Sequence, residues 1–260
     1  MKALQRPWGQ MHYRADGPED GPMVIYANSL GTDLRLWDKV LPLLPAGLRH
    51  VRFDKPGHGL SDLGGEVSIA SMAEDAAALI EYLGGPAVVV GLSIGGQIAQ
   101  GLAAARPDLV RALVLSNTGA KLGDAAGWQA RIDTVSATGT ESLADAVMER
   151  WFAAPFRAGA ELPLWRNMLA RSSDEGYIAC CHALARSDLT GTTSALRLPA
   201  LVIGGSEDGA SPPDIVAALA ALIPNAALHI ISGAGHLPCV EAPETHADLI
   251  GTFLMENALV

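Results

Sequence analysis

Val88-Val89-Val90-Gly91-Leu92-Ser93-Ile94-Gly95-Gly96-Gln97 reads as a buried strand that stops at a glycine, turns through a serine and enters a helix. Three consecutive valines have the unbroken β-branched character of a strand covered on both faces. A serine on so sharp a turn has strained backbone angles, and glycine at 91, 95 and 96 removes the side chains that would collide there. The helix that follows directs its N-terminal dipole and free amides toward the place where negative charge would develop. The pattern G-x-S-x-G carries little weight by itself. Set between a strand and a helix, it marks Ser93 as a candidate nucleophile and the Ile94 N–H as a candidate oxyanion donor.

Similar apolar runs recur on both sides of this segment. Strands are predicted over 23–27, 50–54, 87–91, 111–116, 200–204 and 227–231, and helices over 69–83, 94–106, 213–222 and 244–255. Their alternation predicts an α/β fold, with a mostly parallel central sheet and helices on both faces. Ser68 or Ser71 can cap the helix at 69–83, Glu74 and Asp75 suit its positive end, and Pro243 announces the last helix. Between 117 and 198 the strand signal stops. Helical spacing over 144–152, 164–171 and 177–186 predicts a helical insertion folded over the sheet as a cap. The expected organisation is a first core segment at 1–118, a cap at 119–198 and a second core segment at 199–260, with no internal repeat.

Whole-chain properties exclude several function classes. With 260 residues, 49% hydrophobic and 18% charged, the chain can bury a substantial core. Its formal charge of -10 includes no basic cluster, so neither nucleic acid nor an anionic membrane is an expected partner. No secretory signal and no membrane span are read. Cys180 and Cys181 are adjacent and Cys239 is distant, an odd set that predicts reduced thiols in a cytoplasm. No spacing suits a metal, and the oligomeric state is not encoded legibly.

A serine hydroxyl needs a neighbouring base. Of seven histidines, only His236 sits in a glycine-rich loop just after a predicted last strand, Ser232-Gly233-Ala234-Gly235-His236. His229 falls inside that strand, and His58 belongs to the tight loop Asp54-Lys55-Pro56-Gly57-His58-Gly59. The acid that orients the base should end the preceding strand, and Gly204-Gly205-Ser206-Glu207-Asp208 supplies it. Asp208 is favoured over Glu207, whose longer side chain should face solvent. A second oxyanion donor is expected from Asn28-Ser29-Leu30-Gly31-Thr32, with the Leu30 N–H as the candidate. The chain order Ser93, Asp208, His236 then reads as a Ser-His-Asp triad.

On these residues the chain resembles the α/β-hydrolases, and more closely the 3-oxoadipate enol-lactonases of bacterial aromatic-acid catabolism. Asn28-Ser29-Leu30-Gly31-Thr32-Asp33 with Trp37-Asp38 is similar to that family's oxyanion loop, although relatives often carry His-Gly there. Gly91-Leu92-Ser93-Ile94-Gly95-Gly96 resembles its nucleophile turn, and Glu149-Arg150-Trp151-Phe152 and Gly176-Tyr177 through Cys180 resemble parts of its cap. The resemblance implies hydrolysis of the enol-lactone ring to 3-oxoadipate, a substrate and product that carry a carboxylate, with no metal or organic cofactor. A cap cation should orient that carboxylate. Trp128 and Arg131, three apart on one possible helical face, are the substrate-binding candidates, with Arg157 and Arg166 in competition. Another carboxylesterase, a carbon–carbon bond hydrolase and a non-catalytic receptor on the same scaffold are the alternatives. A serine at position 93 speaks against dehalogenase or epoxide hydrolase chemistry, which calls for a carboxylate nucleophile.

Overall fold

Eight strands make one sheet in the computed structural model, which describes residues 1–260. They are β1 (Lys2–Arg6), β2 (Gly9–Asp16), β3 (Met23–Ala27), β4 (Arg49–Phe53), β5 (Ala87–Leu92), β6 (Val110–Ser116), β7 (Ala200–Gly205) and β8 (Ala227–Ile231). Their spatial order is β1-β2-β4-β3-β5-β6-β7-β8. The pairs β1–β2 and β2–β4 are antiparallel, and every other pair is parallel.

The sheet is therefore mostly parallel, as expected, and its buried strands explain why. Every residue of β3, β5 and β7 is buried, so side chains pointing to either face are covered and both faces carry helices. The first hairpin was not anticipated. In β2 only Met11 and Tyr13 are buried, among exposed and half-buried neighbours, and such alternation lacks the unbroken apolar run of the inner strands.

The helices are α1 (Ile69–Leu83), α2 (Ile94–Ala105), α3 (Ala125–Thr138), α4 (Ala144–Trp151), α5 (Ala154–Arg157), α6 (Leu162–Ala170), α7 (Asp174–Arg186), α8 (Thr190–Ser194), α9 (Pro213–Leu222), α10 (Pro238–Glu241) and α11 (Pro243–Glu256). Both serines offered as caps of α1 serve, in a reciprocal box: Ser68 Oγ accepts from the Ser71 amide at 3.0 Å and Ser71 Oγ from the Ser68 amide at 2.9 Å. Helix α3 lies outside the predicted helical spans and matches only the possible helical face of Trp128 and Arg131. Only Ile132 and Val135 of it are buried, which is too narrow an apolar stripe to register as a period. No helix is long and apolar enough to cross a membrane.

Helices alone occupy the chain from α3 to α8, between β6 and β7. One apolar cluster of 73 residues runs from the strands into this region through Trp151, Phe152 and Tyr177, so the helices there share the sheet's core. Register then lines up the strand ends: Ala27 pairs with Gly91, Leu92 with Ser116, and Ser116 with Ile203. The loops that begin at Asn28, Ser93 and Asn117 and beyond Gly205 open side by side at one edge, which is where an open parallel sheet holds ligands.

Candidate active site

Ser93 joins β5 to α2 with φ 59° and ψ −120°, a conformation that costs a non-glycine residue about 1–3 kcal/mol. Close packing holds it there. A Cβ at Gly95 would lie 2.0 Å from the Ala27 carbonyl oxygen, one at Gly91 would lie 2.2 Å from the Gly95 oxygen, and one at Gly96 would meet the Thr118 methyl at 2.4 Å. The Ser93 amide donates to the Ser116 carbonyl at 3.1 Å, and Thr118 Oγ1 donates to the Ser93 carbonyl at 2.7 Å. The Ser93 hydroxyl makes no hydrogen bond within the chain and faces a cavity of about 260 Å³.

His236 lines the same cavity. Its Nδ1 donates to Asp208 Oδ2 at 2.9 Å, with both side chains buried. Because the carboxylate faces Nδ1, that nitrogen carries the proton and Nε2 is left basic. Asp208 is heavily supported. Its Oδ1 accepts the amides of Ala210 at 2.7 Å and Ser211 at 2.9 Å, and Oδ2 accepts Asn117 Nδ2 at 2.9 Å. Burial pushes this carboxyl up, but His236 and the hydrogen bonds from His236, Asn117 and Ser211 outweigh it, and the net shift is below the ordinary range. Glu207 is exposed and makes no bond to His236.

The two amides offered as oxyanion donors are unused by the rest of the chain. Neither the Leu30 N–H nor the Ile94 N–H has a backbone or side-chain acceptor, and Leu30 lines the cavity. Trp128 and Arg131 line it as well. Arg131 lies over the Trp128 ring, 5.4 Å from its centroid, and donates to the Tyr177 hydroxyl at 3.1 Å. Of the competing cations, Arg166 is turned away to Asp145 at 2.6 Å and Arg157 is exposed on α5 outside the cavity. A wider open groove of about 1020 Å³ lies between residues 33–39 and 54–63 and helix α6. It holds none of the triad candidates.

A family model described as the alpha/beta hydrolase fold matches residues 22–243. The chain belongs to the α/β-hydrolases. Relatives support the same placement. The 3-oxoadipate enol-lactonase 2 of Acinetobacter baylyi is 32% identical over 238 residues, 90% of this chain and 89% of that protein. The crystal structure of an enol-lactonase from Burkholderia xenovorans LB400 superposes with a TM-score of 0.91 at 32% identity, covering 95% of this chain and 96% of its own. A thermophilic esterase from Thermogutta terrifontis, solved with malate bound, gives a TM-score of 0.91 at 27% identity over 99% of both chains. The likeness to enol-lactonases read from the motifs thus holds across the molecule, and this α/β-hydrolase is placed among hydrolytic enzymes.

Three residues around the cavity of this α/β-hydrolase had no role in the sequence reading. Asn117, at the end of β6, adopts φ 49° and bonds Asp208 and the Gly235 carbonyl at once. The polar break after the apolar run of β6 was its only signal. Arg150 lines the cavity from the end of α4, has no carboxylate partner, and donates to the Gly209 carbonyl at 3.2 Å. Tyr177 is buried from α7, which pushes its hydroxyl up to about 12 and keeps it neutral. Arg150 and Tyr177 stand in the motifs that carry the family resemblance, but nothing in their spacing aims them at the serine.

Proposed function

We propose that this α/β-hydrolase opens a small lactone or ester bearing a carboxylate, with 3-oxoadipate enol-lactone as the substrate favoured by its relatives. The single observation that carries the reading is the cavity itself. A buried Asp208–His236 pair and the strained Ser93 face it beside two arginines, Arg131 and Arg150, that have no carboxylate partner in the chain. Unpaired guanidiniums in a chain of net charge -10 suit an anionic ligand, and a cavity of about 260 Å³ suits a small one.

In this mechanism Ser93 Oγ forms a bond to the lactone carbonyl carbon while His236 Nε2 takes its proton. The oxyanion is held by the N–H groups of Leu30 and Ile94, a contribution in which one donor is commonly worth ~10²–10³ in rate. Collapse breaks the ring carbon–oxygen bond, and the enol oxygen leaves with the proton from His236. The released enol becomes a ketone. Water, activated by the same imidazole, then attacks the acyl-enzyme and frees the Ser93 hydroxyl. Asp208 holds the imidazole in its tautomer and stabilises the imidazolium. The residues 119–198 serve as the cap in this scheme, supplying Trp128, Arg131 and Arg150. The three free, buried cysteines fit a cytoplasmic setting, where the reaction would serve aromatic-acid breakdown.

The test is a kinetic comparison of the enol-lactone with p-nitrophenyl acetate, alongside Ser93→Ala. The variant should fold as the wild type and lose turnover of both substrates, and the lactone should have the higher kcat/KM. Wild-type-like turnover by Ser93→Ala would discard the nucleophile. Better turnover of simple alkyl esters than of the lactone would leave the triad standing and replace the substrate by that of a general carboxylesterase.

A further inference from the structure

The loop that carries Leu30 is held from below by a second loop that contributes nothing to the cavity. Lys55 and His58 lie in Asp54-Lys55-Pro56-Gly57-His58-Gly59, following β4, and are 1% and 2% exposed. Lys55 Nζ donates to the Ser29 carbonyl at 2.6 Å and to the Thr32 carbonyl at 3.1 Å. His58 Nε2 accepts the Gly31 amide at 3.1 Å. The chain therefore fixes residues 29, 31 and 32 by three bonds and skips the one between them, whose N–H has no partner.

The chemistry of both side chains is unusual for a packing role. Lys55 is a fully buried ammonium that forms no ion pair, and burial lowers it to about 8. An unpaired buried cation is among the costlier things a core can hold, so two carbonyls alone are poor compensation unless their position matters. His58 must be neutral to accept the Gly31 amide. Burial, helped by the neighbouring Lys55, pushes it well below its ordinary range, and its Nδ1 proton is committed to the Pro56 carbonyl at 3.1 Å. That commitment leaves Nε2 as an acceptor.

The supporting loop is itself pressed from the other side. Gly57 has φ +67°, and a Cβ there would sit 2.4 Å from the Cα of Gly176 in α7. Ser172 Oγ donates to the Gly31 carbonyl at 3.4 Å. Asp54 adds a bond to the Leu34 amide at 2.8 Å. The loop at 28–34 is thus caught between the loop at 54–59 and the helices above, with little freedom to turn a peptide over.

We propose that Lys55 and His58 are positioning residues for catalysis, which clamp the Ser29–Thr32 backbone so that the Leu30 N–H stays unpaired and available to the oxyanion. The proposal rests on the reading of Leu30 as an oxyanion donor. Neither side chain touches substrate. Their effect should therefore appear in the tetrahedral state and be missing from ground-state binding.

The experiment uses the full chain with p-nitrophenyl acetate, active sites counted by a fluorophosphonate, and phenylboronic acid as an inhibitor that forms a tetrahedral adduct with the serine. The variants are Lys55→Met, His58→Leu and His58→Gln, with Ser93→Ala as the blank. We expect kcat per labelled site to fall about 10- to 100-fold in Lys55→Met and His58→Leu with KM within about twofold. The inhibition constant of phenylboronic acid should rise in parallel. His58→Gln, whose amide oxygen can accept the Gly31 N–H, should recover most of the loss. If Lys55→Met does not fold, the Leu and Gln variants at 58 decide alone. A kcat per site within twofold of wild type, a loss carried by KM, or Gln no better than Leu would overturn the clamp. Absence of any Ser93-dependent turnover in the wild type would overturn the underlying reading and the clamp together, a result distinct from the other three.

Discussion

Asn117 illustrates how much of the site hangs on a single side chain outside the three catalytic candidates. Its amide bridges the carboxylate of Asp208 at 2.9 Å and the carbonyl of Gly235 at 3.1 Å, tying Asp208 to the residue just before His236. Asparagine tolerates the φ of 49° there better than most residues. Asn117→Gly keeps that freedom and removes the bridge. A hydrogen bond to a charged group is worth about 1.5–3 kcal/mol, so kcat should fall roughly 10- to 100-fold, read by steady-state kinetics on an activated ester. An unchanged kcat would show that the Ala210 and Ser211 amides suffice to hold the acid. At this scale the sequence was legible where chemistry demands a motif. Glycine on both sides of Ser93 and a polar end to an apolar strand at Asp208 can be read without coordinates. Asn117 could not, because the reason for it lies 91 residues away in the acid it serves.

Elements were legible in proportion to how uniformly they are buried. The inner strands and α1 have long apolar signatures, and their predicted limits agree with the structure to within a residue. The hairpin of β1 and β2 and helix α3 are half exposed, and their patterns dissolve into polar sequence. One buried element carries a pH signature. His246 of α11 is fully buried against β6, sharing a 3.1 Å hydrogen bond with Ser116 Oγ, and burial lowers it to about 3. The unfolded chain takes up this proton below about 6.5, the folded one only near 3, so protonation favours unfolding throughout that window. Above about 6.5 neither state is charged and the effect is nil. Stability should fall by up to ~1.4 kcal/mol per pH unit on this account as acid is added from 6.5 toward 3. Urea denaturation of His246→Met across that range should show a shallower slope than wild type, and equal slopes would remove His246 as the source.

For the molecule as a whole, the fold and its class could be read from the alternation of strands and helices, whereas the way the upper helices are fastened could not. Glu241 shows the difference. One carboxylate oxygen accepts the Ala153 amide at 2.8 Å, just after α4, and the other accepts the Gly235 amide at 2.6 Å, beside His236. Two donors need two acceptors, and nothing in the local sequence of α10 announces either partner. Glu241→Gln turns an amide group toward one of those N–H groups. We expect it to cost about 1–3 kcal/mol in urea unfolding and to lower kcat as well, since the loop carrying His236 is loosened. Loss of stability with kcat intact would mean that the fastening serves the upper helices alone.

The end of α4 is fastened at two further points. His236 donates its amide to the Trp151 carbonyl at 2.7 Å, and the Gly209 amide donates to the Arg150 carbonyl at 3.1 Å. The same short span that carries the Arg150 guanidinium into the cavity is therefore stitched to the loops of Asp208 and His236. Descendants of this hydrolase that acquire a new ligand preference by remodelling that span would shift the Asp208 and His236 loops with every step. The opposite wall, where Gly123, Asp124 and Gly127 precede Trp128, is tied by its own short-range bonds, Gly127 N–H to Asp124 and Trp128 Nε1 to the Leu122 carbonyl, so a new ligand preference has more room to arise there.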